Sequence, residues 1–120
     1  MTRLLWTIRN VRDVPSWIPG TALYLCLFPT VLKVGITSNP QERMRALQSK
    51  VKDKPTLMVF LHFESRLLAR AIEKDIAWAC RGTSLWLSNA HGEWLAVEDF
   101  EKAKAMMLGS PDGPRVWRTA

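Results

Sequence analysis

The pattern of apolar and polar positions along the chain predicts a small α/β domain. Two short apolar runs, 22–28 and 31–37, flank Pro29 and Thr30, a pattern typical of two central strands joined by a tight turn. The apolar run 56–63 predicts a third strand. We therefore expect a mostly antiparallel three-stranded central sheet in which the first two strands form a hairpin.

This hairpin would place two unusual side chains on the same face of the sheet. A two-residue turn at 29–30 pairs Tyr24 with Gly35 and Cys26 with Lys33. Lys33 is then the diagonal neighbour of Tyr24, the only tyrosine in the chain, and lies within reach of its side chain. The sequence thus predicts that Tyr24 and Lys33 can act together.

Polar segments between the strands predict helices that flank the sheet. Asn39 can cap the first helix, Pro40 suits its first position, and Glu42 favours the positive end of the helix dipole. Two further helices are predicted over about 65–79 and 98–108. The spacing of apolar residues predicts which side of the second helix faces the core. These residues are Leu68, Ala71, Ile72, Ile76 and Ala79.

The length of the chain, 120 residues, leaves room for one domain and little else. The turn at Pro19 and Gly20 marks off 1–20 as an N-terminal extension that packs onto or drapes over the rest. The folded domain is predicted over 21–108, and 109–120 form a tail rich in proline and glycine.

The charge balance favours a polyanionic partner. Seventeen Lys and Arg residues against eleven Asp and Glu residues give a net charge of +6 at pH 7. Nucleic acid is the first expectation, and an anionic membrane surface is the second. No apolar stretch approaches the ~18 residues of a membrane span, and no signal peptide is evident. Because Cys26 and Cys80 lie among apolar neighbours, we expect reduced core thiols in a soluble, cytoplasmic protein.

Several enzyme classes lack their signatures in this sequence. There is no Walker-type loop, no GxGxxG and no HExxH motif. The two cysteines and two histidines do not have the paired spacing of a structural zinc site. The serines do not occur in a nucleophile-elbow motif, so a catalytic triad is not expected either.

Four segments of the chain nevertheless form a recognisable series. They are ALYLC, KVGITSNPQERMRAL, AIEKDI and GEWL, and together they span about residues 21–106. The series resembles the GIY-YIG nuclease superfamily, in particular its compact branch that is common in phages. The sequence departs from the archetype in two places: Ala22 replaces a glycine, and Lys33 replaces a tyrosine.

The resemblance implies a GIY-YIG-like fold and a DNA endonuclease that uses one Mg²⁺ or Mn²⁺ ion. Its motifs assign catalytic roles to Tyr24, Lys33 and Arg43 and a metal-binding role to Glu73. Elementary chemistry is compatible with these roles, since phosphodiester hydrolysis needs a cation, a base for water and positive charge on the phosphate. Tyr24 could act as the base if Lys33 or the metal lowered its pKa.

Each of these residues also has a structural interpretation. Tyr24 could pack in a strand with its hydroxyl at the edge, and Lys33 could lie on a solvated or edge face. Arg43 could be an ordinary exposed helix residue. Glu73 follows Arg70 by three residues, a spacing that also suits a surface ion pair worth a few tenths of a kcal/mol.

Accessory and binding residues complete the candidate site. Glu93, Asn89 and His62 are accessory candidates, although Glu93 beside Trp94 could instead form a structural corner, and His62 could be a strand-edge residue. If basic residues surround one face, they form a surface that follows a phosphate backbone. The residues predicted to bind nucleic acid are Arg45, Lys50, Lys52, Arg66 and Arg70.

Three functions therefore remain open at this point. The first is a metal-dependent endonuclease that hydrolyses phosphodiester bonds in DNA. The second is a nucleic-acid-binding module with degraded chemistry, because the motifs are imperfect. The third is a phage-type protein-interaction factor whose tryptophan-rich termini, including Trp6, Trp17 and Trp117, grip a protein partner or stack on bases. A domain this short would need a homodimer or a protein partner for sequence specificity.

Overall fold

The computed structural model of the chain describes residues 3–80, 94–109 and 117–119. A β-sheet forms the middle layer, and helices pack on both of its faces. The strands are β1 (Arg3–Ile8), β2 (Thr21–Leu27), β3 (Leu32–Thr37), β4 (Leu57–Phe63), β5 (Trp94–Leu95) and β6 (Trp117–Thr119). The helices are α1 (Pro40–Val51), α2 (Arg66–Ala79) and α3 (Phe100–Leu108), with short 3₁₀ turns at Val11–Asp13 and Val97–Asp99.

The sheet confirms the predicted α/β class and its antiparallel centre. Its strands lie in the order β5-β3-β2-β4-β1-β6, all antiparallel except that β6 runs parallel to β1. The predicted hairpin register is confirmed as well, because Tyr24 pairs with Gly35 and Cys26 pairs with Lys33. Strands β1, β5 and β6 extend the three predicted strands on both sides.

Strand β1 falls within the segment predicted as an N-terminal extension. It pairs antiparallel with β4, with Leu5 opposite Leu61 and Trp6 opposite Phe60. No local pattern of the sequence reveals this pairing, because the partner strand lies far along the chain. Residues 3–8 therefore belong to the sheet.

Helix α1 begins where the sequence predicts it. The Asn39 side-chain oxygen accepts a hydrogen bond from the Glu42 backbone N–H at 3.3 Å. The Asn39 amide group in turn donates to the Glu42 carboxylate at 3.1 Å. Pro40 occupies the first turn, where its missing N–H costs nothing. The helix ends at Val51 because Lys52 adopts the left-handed conformation, with φ at 61°.

Helix α2 is rotated relative to the prediction. Ile76 is buried and Ile72 packs against the core, as predicted. Leu68 and Ala71, also expected to face inward, are exposed, and Ala69 is buried instead. Leucine, isoleucine and alanine occur nearly all around this helix, so spacing alone does not fix which stripe faces the sheet. The small side chain of Ala69 allows close approach to the sheet, and this rotation carries Glu73 into a buried position.

The sheet separates two apolar layers. One layer lies under α2 and α3 and contains Leu23, Leu25, Val34, Leu61 and Met107 among others. The other lies under α1 and contains Tyr24, Cys26, Phe60, Met44 and Leu47 among others. Cys26 and Cys80 are both buried thiols, as the sequence predicts. In the described part of the chain, no helix combines the length and the apolar character needed to cross a membrane.

Residues 10–20 close the α1 side of the sheet. Val14 and Ile18 are buried there, and the Gln41 backbone N–H donates to the Pro15 carbonyl at 3.0 Å. The segment then turns into β2 at Gly20, whose φ of +97° favours glycine. A Cβ at Gly20 would also lie only 2.8 Å from the Phe63 carbonyl oxygen.

We expect Gly20→Ala to lower the free energy of unfolding by about 1–3 kcal/mol, because it combines backbone strain with a steric clash. Urea denaturation followed by circular dichroism measures the change. Gly109→Ala is the matched control, since Gly109 also has a positive φ but no atom lies within 4 Å of its added Cβ. An equal loss in the two variants would contradict the clash.

Candidate functional site

A cavity of about 930 Å³ lies at the outer edge of β3. Strand β5 pairs only with Leu32 and Lys33 of β3, so the described strands leave the later half of β3 uncovered on that side. The loop after β3, one side of α1 along most of its length and the first part of α2 form the walls of the cavity. Side chains from both faces of the sheet therefore meet at this edge.

Four sequence-predicted residues line this one cavity: Tyr24, Lys33, Arg43 and Glu73. Tyr24 and Lys33 come from the face that α1 covers, as the hairpin register requires. Arg43 comes from the second turn of α1, and Glu73 comes from the middle of α2 on the opposite face. The fold thus brings together residues from four elements, while their chemical roles stay predictions.

Gly35 gives the Tyr24 side chain its path into the cavity. A Cβ built on Gly35 would lie 2.5 Å from the Tyr24 hydroxyl oxygen and 2.6 Å from Cζ. The phenol ring therefore lies directly over the Gly35 backbone, which any larger residue would block. Gly35 was not among the predicted site residues, although its position opposite the only tyrosine was a usable signal in the sequence.

The Tyr24 hydroxyl is buried, and among the described residues it has no hydrogen-bond partner. Burial raises the Tyr24 pKa well above its ordinary value, and the nearby charges of Cys26 and Glu73 add to this, whereas the Arg43 guanidinium lowers it. Arg43 is therefore a cation that acts on the hydroxyl, while the same effect of Lys33 stays a prediction.

Lys33 is buried, so its interpretation as a lysine on a solvated face is wrong. Its Nζ lies 5.0 Å from the centre of the Trp94 ring, and the Lys50 Nζ lies 5.7 Å from the same ring. An indole is the side chain that attracts cations most strongly through its π face. Trp94 thus attracts two ammonium groups on one wall of the cavity. The sequence predicted only structural packing for this indole.

The basic residues predicted to bind nucleic acid fall into two groups. Lys50, Arg66 and Arg70 line the cavity. Arg45 and Lys52 instead line a shallower depression of about 400 Å³ at the end of α1, together with Lys54. Positive charge therefore lines the cavity and continues along α1 outside it.

Of the three accessory candidates, the structure describes only His62. His62 does not line the cavity, since its Nε2 lies 2.5 Å from the Pro19 carbonyl oxygen and ties the N-terminal segment to β4. Its assignment as an accessory residue is therefore not supported by its position. Asn89 and Glu93 lie outside the residues that the structure describes.

Two carboxylates line the described part of the cavity, Glu73 and Glu42. Glu42 is engaged in the Asn39 cap, whereas Glu73 is buried within the wall. Mg²⁺ is commonly held by one or two carboxylates with waters and substrate phosphates completing its shell, so the residues present fit such an ion. In the described ranges, no cluster of three or more His, Cys, Asp or Glu residues could form a protein-only metal cage.

Comparison with protein families gives one match. The family model of the T5orf172 domain matches residues 21–108, most of the chain. This finding overturns the assignment to the GIY-YIG nuclease superfamily, because the matching family is a different one. The motifs behind that assignment were short and imperfect, and a strand followed by a turn and a capped helix is a common local arrangement. The chain matches no curated protein and no solved structure.

We expect Tyr24 to titrate far above the ordinary tyrosine pKa of about 10, because burial disfavours the tyrosinate. Since Tyr24 is the only tyrosine, the ultraviolet absorbance of tyrosinate reports on it alone. The folded protein should show no tyrosinate at pH 10, whereas the urea-unfolded chain should be about half ionised there. Arg43→Gln should raise the folded midpoint further.

The same burial predicts loss of stability in alkali. The folded-state pKa values of Tyr24 and Cys26 are raised, the latter to about 12, so the unfolded chain releases these protons first. The free energy of unfolding should therefore be unaffected by these groups below about pH 8, where the unfolded thiol is still protonated, and fall as the pH rises toward 12. Tyrosinate appearing near pH 10 in the folded protein would contradict the buried hydroxyl.

We expect Gly35→Ala to displace the Tyr24 ring and lower the free energy of unfolding by about 1–3 kcal/mol through overpacking. Urea denaturation measures the loss. In a Tyr24→Leu background the same glycine substitution should cost less, because the ring that it strikes is gone. An equal cost in both backgrounds would show that the ring does not lie over Gly35.

Proposed function

Because the chain belongs to the T5orf172 domain family, we propose that its cavity binds a DNA phosphodiester and hydrolyses it with a divalent cation. The T5orf172 domain is a phage-type domain associated with nucleic acids. The net positive charge of the chain supports such a partner. The association of the family with nucleic acids supports binding, and hydrolysis of the phosphodiester is the further part of the proposal.

The observation that carries the proposal is the buried Tyr24 hydroxyl beside Arg43 and Glu73. A buried polar atom without a partner costs free energy, and such groups concentrate where a ligand satisfies them. Tyr24 lines the cavity. Among the described residues of this lining, cationic side chains outnumber carboxylates. A phosphate oxygen supplies the acceptor that the hydroxyl lacks and the negative charge that the cations favour.

Each residue then has a defined task toward the phosphate. Tyr24 is protonated at neutral pH, so its Oη donates a hydrogen bond to a phosphate oxygen. Because its pKa stays raised even with Arg43 beside it, Tyr24 serves the phosphate as a donor and not as the base for water. Arg43 presents its planar guanidinium to the phosphate. Lys33, held against Trp94, supplies further positive charge to the same wall.

Glu73 would hold the divalent cation, Mg²⁺ or Mn²⁺. Such an ion neutralises the charge that develops on the phosphate and favours the ionisation of bound water. Its place in the lining of the same cavity as Tyr24 and Arg43 supports this role. Arg66 and Arg70 lie on the same helix and would guide the backbone of the nucleic acid on either side.

A second candidate function is binding of nucleic acid without cleavage. One observation favours it: the raised pKa of Tyr24, which opposes a role of this hydroxyl as the base for water. The cationic wall alone would suffice for this function. The experiment below separates the two functions.

We expect the wild-type protein to nick or cut supercoiled plasmid DNA when Mg²⁺ or Mn²⁺ is present, and Glu73→Gln to reduce the rate at least about 100-fold. Glu73→Gln should still bind DNA, because the cations of the cavity are unchanged. Gel electrophoresis measures cutting, and fluorescence anisotropy measures binding. Glu101→Gln is the matched control, since Glu101 is an exposed carboxylate on α3, away from the cavity.

The outcomes are distinct. Equal cutting by wild type and Glu73→Gln would contradict the assigned role of Glu73. Binding without cutting by either protein, with an affinity that falls steeply as salt is added, would establish the binding module instead. A wild-type protein that neither binds nor cuts DNA at low salt would overturn both functions.

A further inference from the structure

Trp17 is a large aromatic residue that the core does not use. Its side chain is 68% exposed, whereas its neighbour Ile18 is buried at 3%. So exposed an indole contributes little of the apolar burial by which aromatic residues normally stabilise a fold. We therefore consider the groups that surround Trp17.

The backbone on both sides of Trp17 is fixed to the edge of the cavity. On one side, the Pro15 carbonyl accepts a hydrogen bond from the Gln41 backbone N–H at 3.0 Å. On the other side, the Ile18 N–H donates to the Ser38 carbonyl at 3.4 Å. Ser38 itself lines the cavity, and Gln41 precedes Glu42, which also lines it. Trp17 is thus held beside the loop between β3 and α1.

A fixed, exposed aromatic residue beside a cationic cavity has the properties of a stacking platform. The cations attract the phosphate backbone without regard to sequence, and the indole offers a flat surface for a neighbouring base. Stacking on an aromatic side chain tolerates any base, because every base has a π face. Little conformational entropy is lost, since the backbone around Trp17 is already tied down.

We propose that Trp17 stacks on an unpaired base of the DNA strand whose phosphate occupies the cavity, an inference that rests on the proposed function. Bases inside a duplex are covered on both faces by their neighbours and offer no surface to the indole. The site would therefore prefer DNA with an unpaired base next to the bound phosphate. Single strands, flaps and junctions belong to this substrate class.

Trp78 provides an internal comparison. Its side chain is 69% exposed, nearly the same as that of Trp17, but it lies near the end of α2. The α2 residues that line the cavity are Arg66, Arg70 and Glu73, in the first part of the helix. A general effect of removing an exposed indole should therefore appear at both positions, whereas stacking should appear only at Trp17.

The test measures binding of the full chain to short single-stranded DNA by fluorescence anisotropy, in Mg²⁺-free buffer at fixed salt. Trp17→Ala should weaken binding roughly 5- to 150-fold, the range expected for losing one stacked base. Trp17→Phe should retain most of the affinity, and Trp78→Ala should retain all of it. The dependence of affinity on salt should be unchanged in Trp17→Ala, because no phosphate contact is lost.

A second probe isolates the base itself. An oligomer of equal length built from abasic sugar-phosphate units keeps the backbone but offers nothing to stack on. Wild type and Trp17→Ala should bind it equally, and a difference between them would overturn stacking. If wild type and Trp17→Ala bind the normal strand equally, the inference fails while the proposed function stands. If wild type binds neither oligomer, the stacking inference fails, and the plasmid experiment decides separately whether the proposed function fails as well.

Discussion

The close approach of the Tyr24 ring to the Gly35 backbone is the contact on which the candidate site depends. Because Gly35 has no side chain, the phenol crosses β3 and its hydroxyl reaches the outer edge of the sheet. The short strand β5 pairs only with Lys33 and Leu32 of β3, so among the described strands the rest of this edge is left open to the cavity. Side chains from the two faces of the sheet can therefore meet around one buried hydroxyl.

Burial and charge act in opposite directions on this hydroxyl. Burial keeps Tyr24 protonated, while Arg43 favours the ionised form. The Trp94 ring holds Lys33 and Lys50 nearby, so part of the positive charge of the cavity is fixed by packing. A site of this kind is prepared for an anion before the anion arrives, which lowers the cost of ordering side chains on binding.

Much of the fold was predictable from short stretches of sequence. The turn at Pro29 and Thr30 sets the hairpin register, and Asn39 with Pro40 sets the start of α1, because both effects act between near neighbours. The rotation of α2 was not predictable, since apolar residues occur nearly all around it and only packing against the sheet selects the stripe with Ala69. The family was also misassigned, because short motifs describe local geometry that different families share.

The sequence by itself determined the residue types, the hairpin register and the capped helix that carry Tyr24, Lys33 and Arg43. Only the tertiary structure decided that Glu73 turns inward to the same cavity and that the Arg43 guanidinium acts on the Tyr24 pKa. It also decided that His62 serves the N-terminal segment instead of the site. The physical reason is distance along the chain: burial, charge and contact between remote elements arise only when the sheet and helices pack.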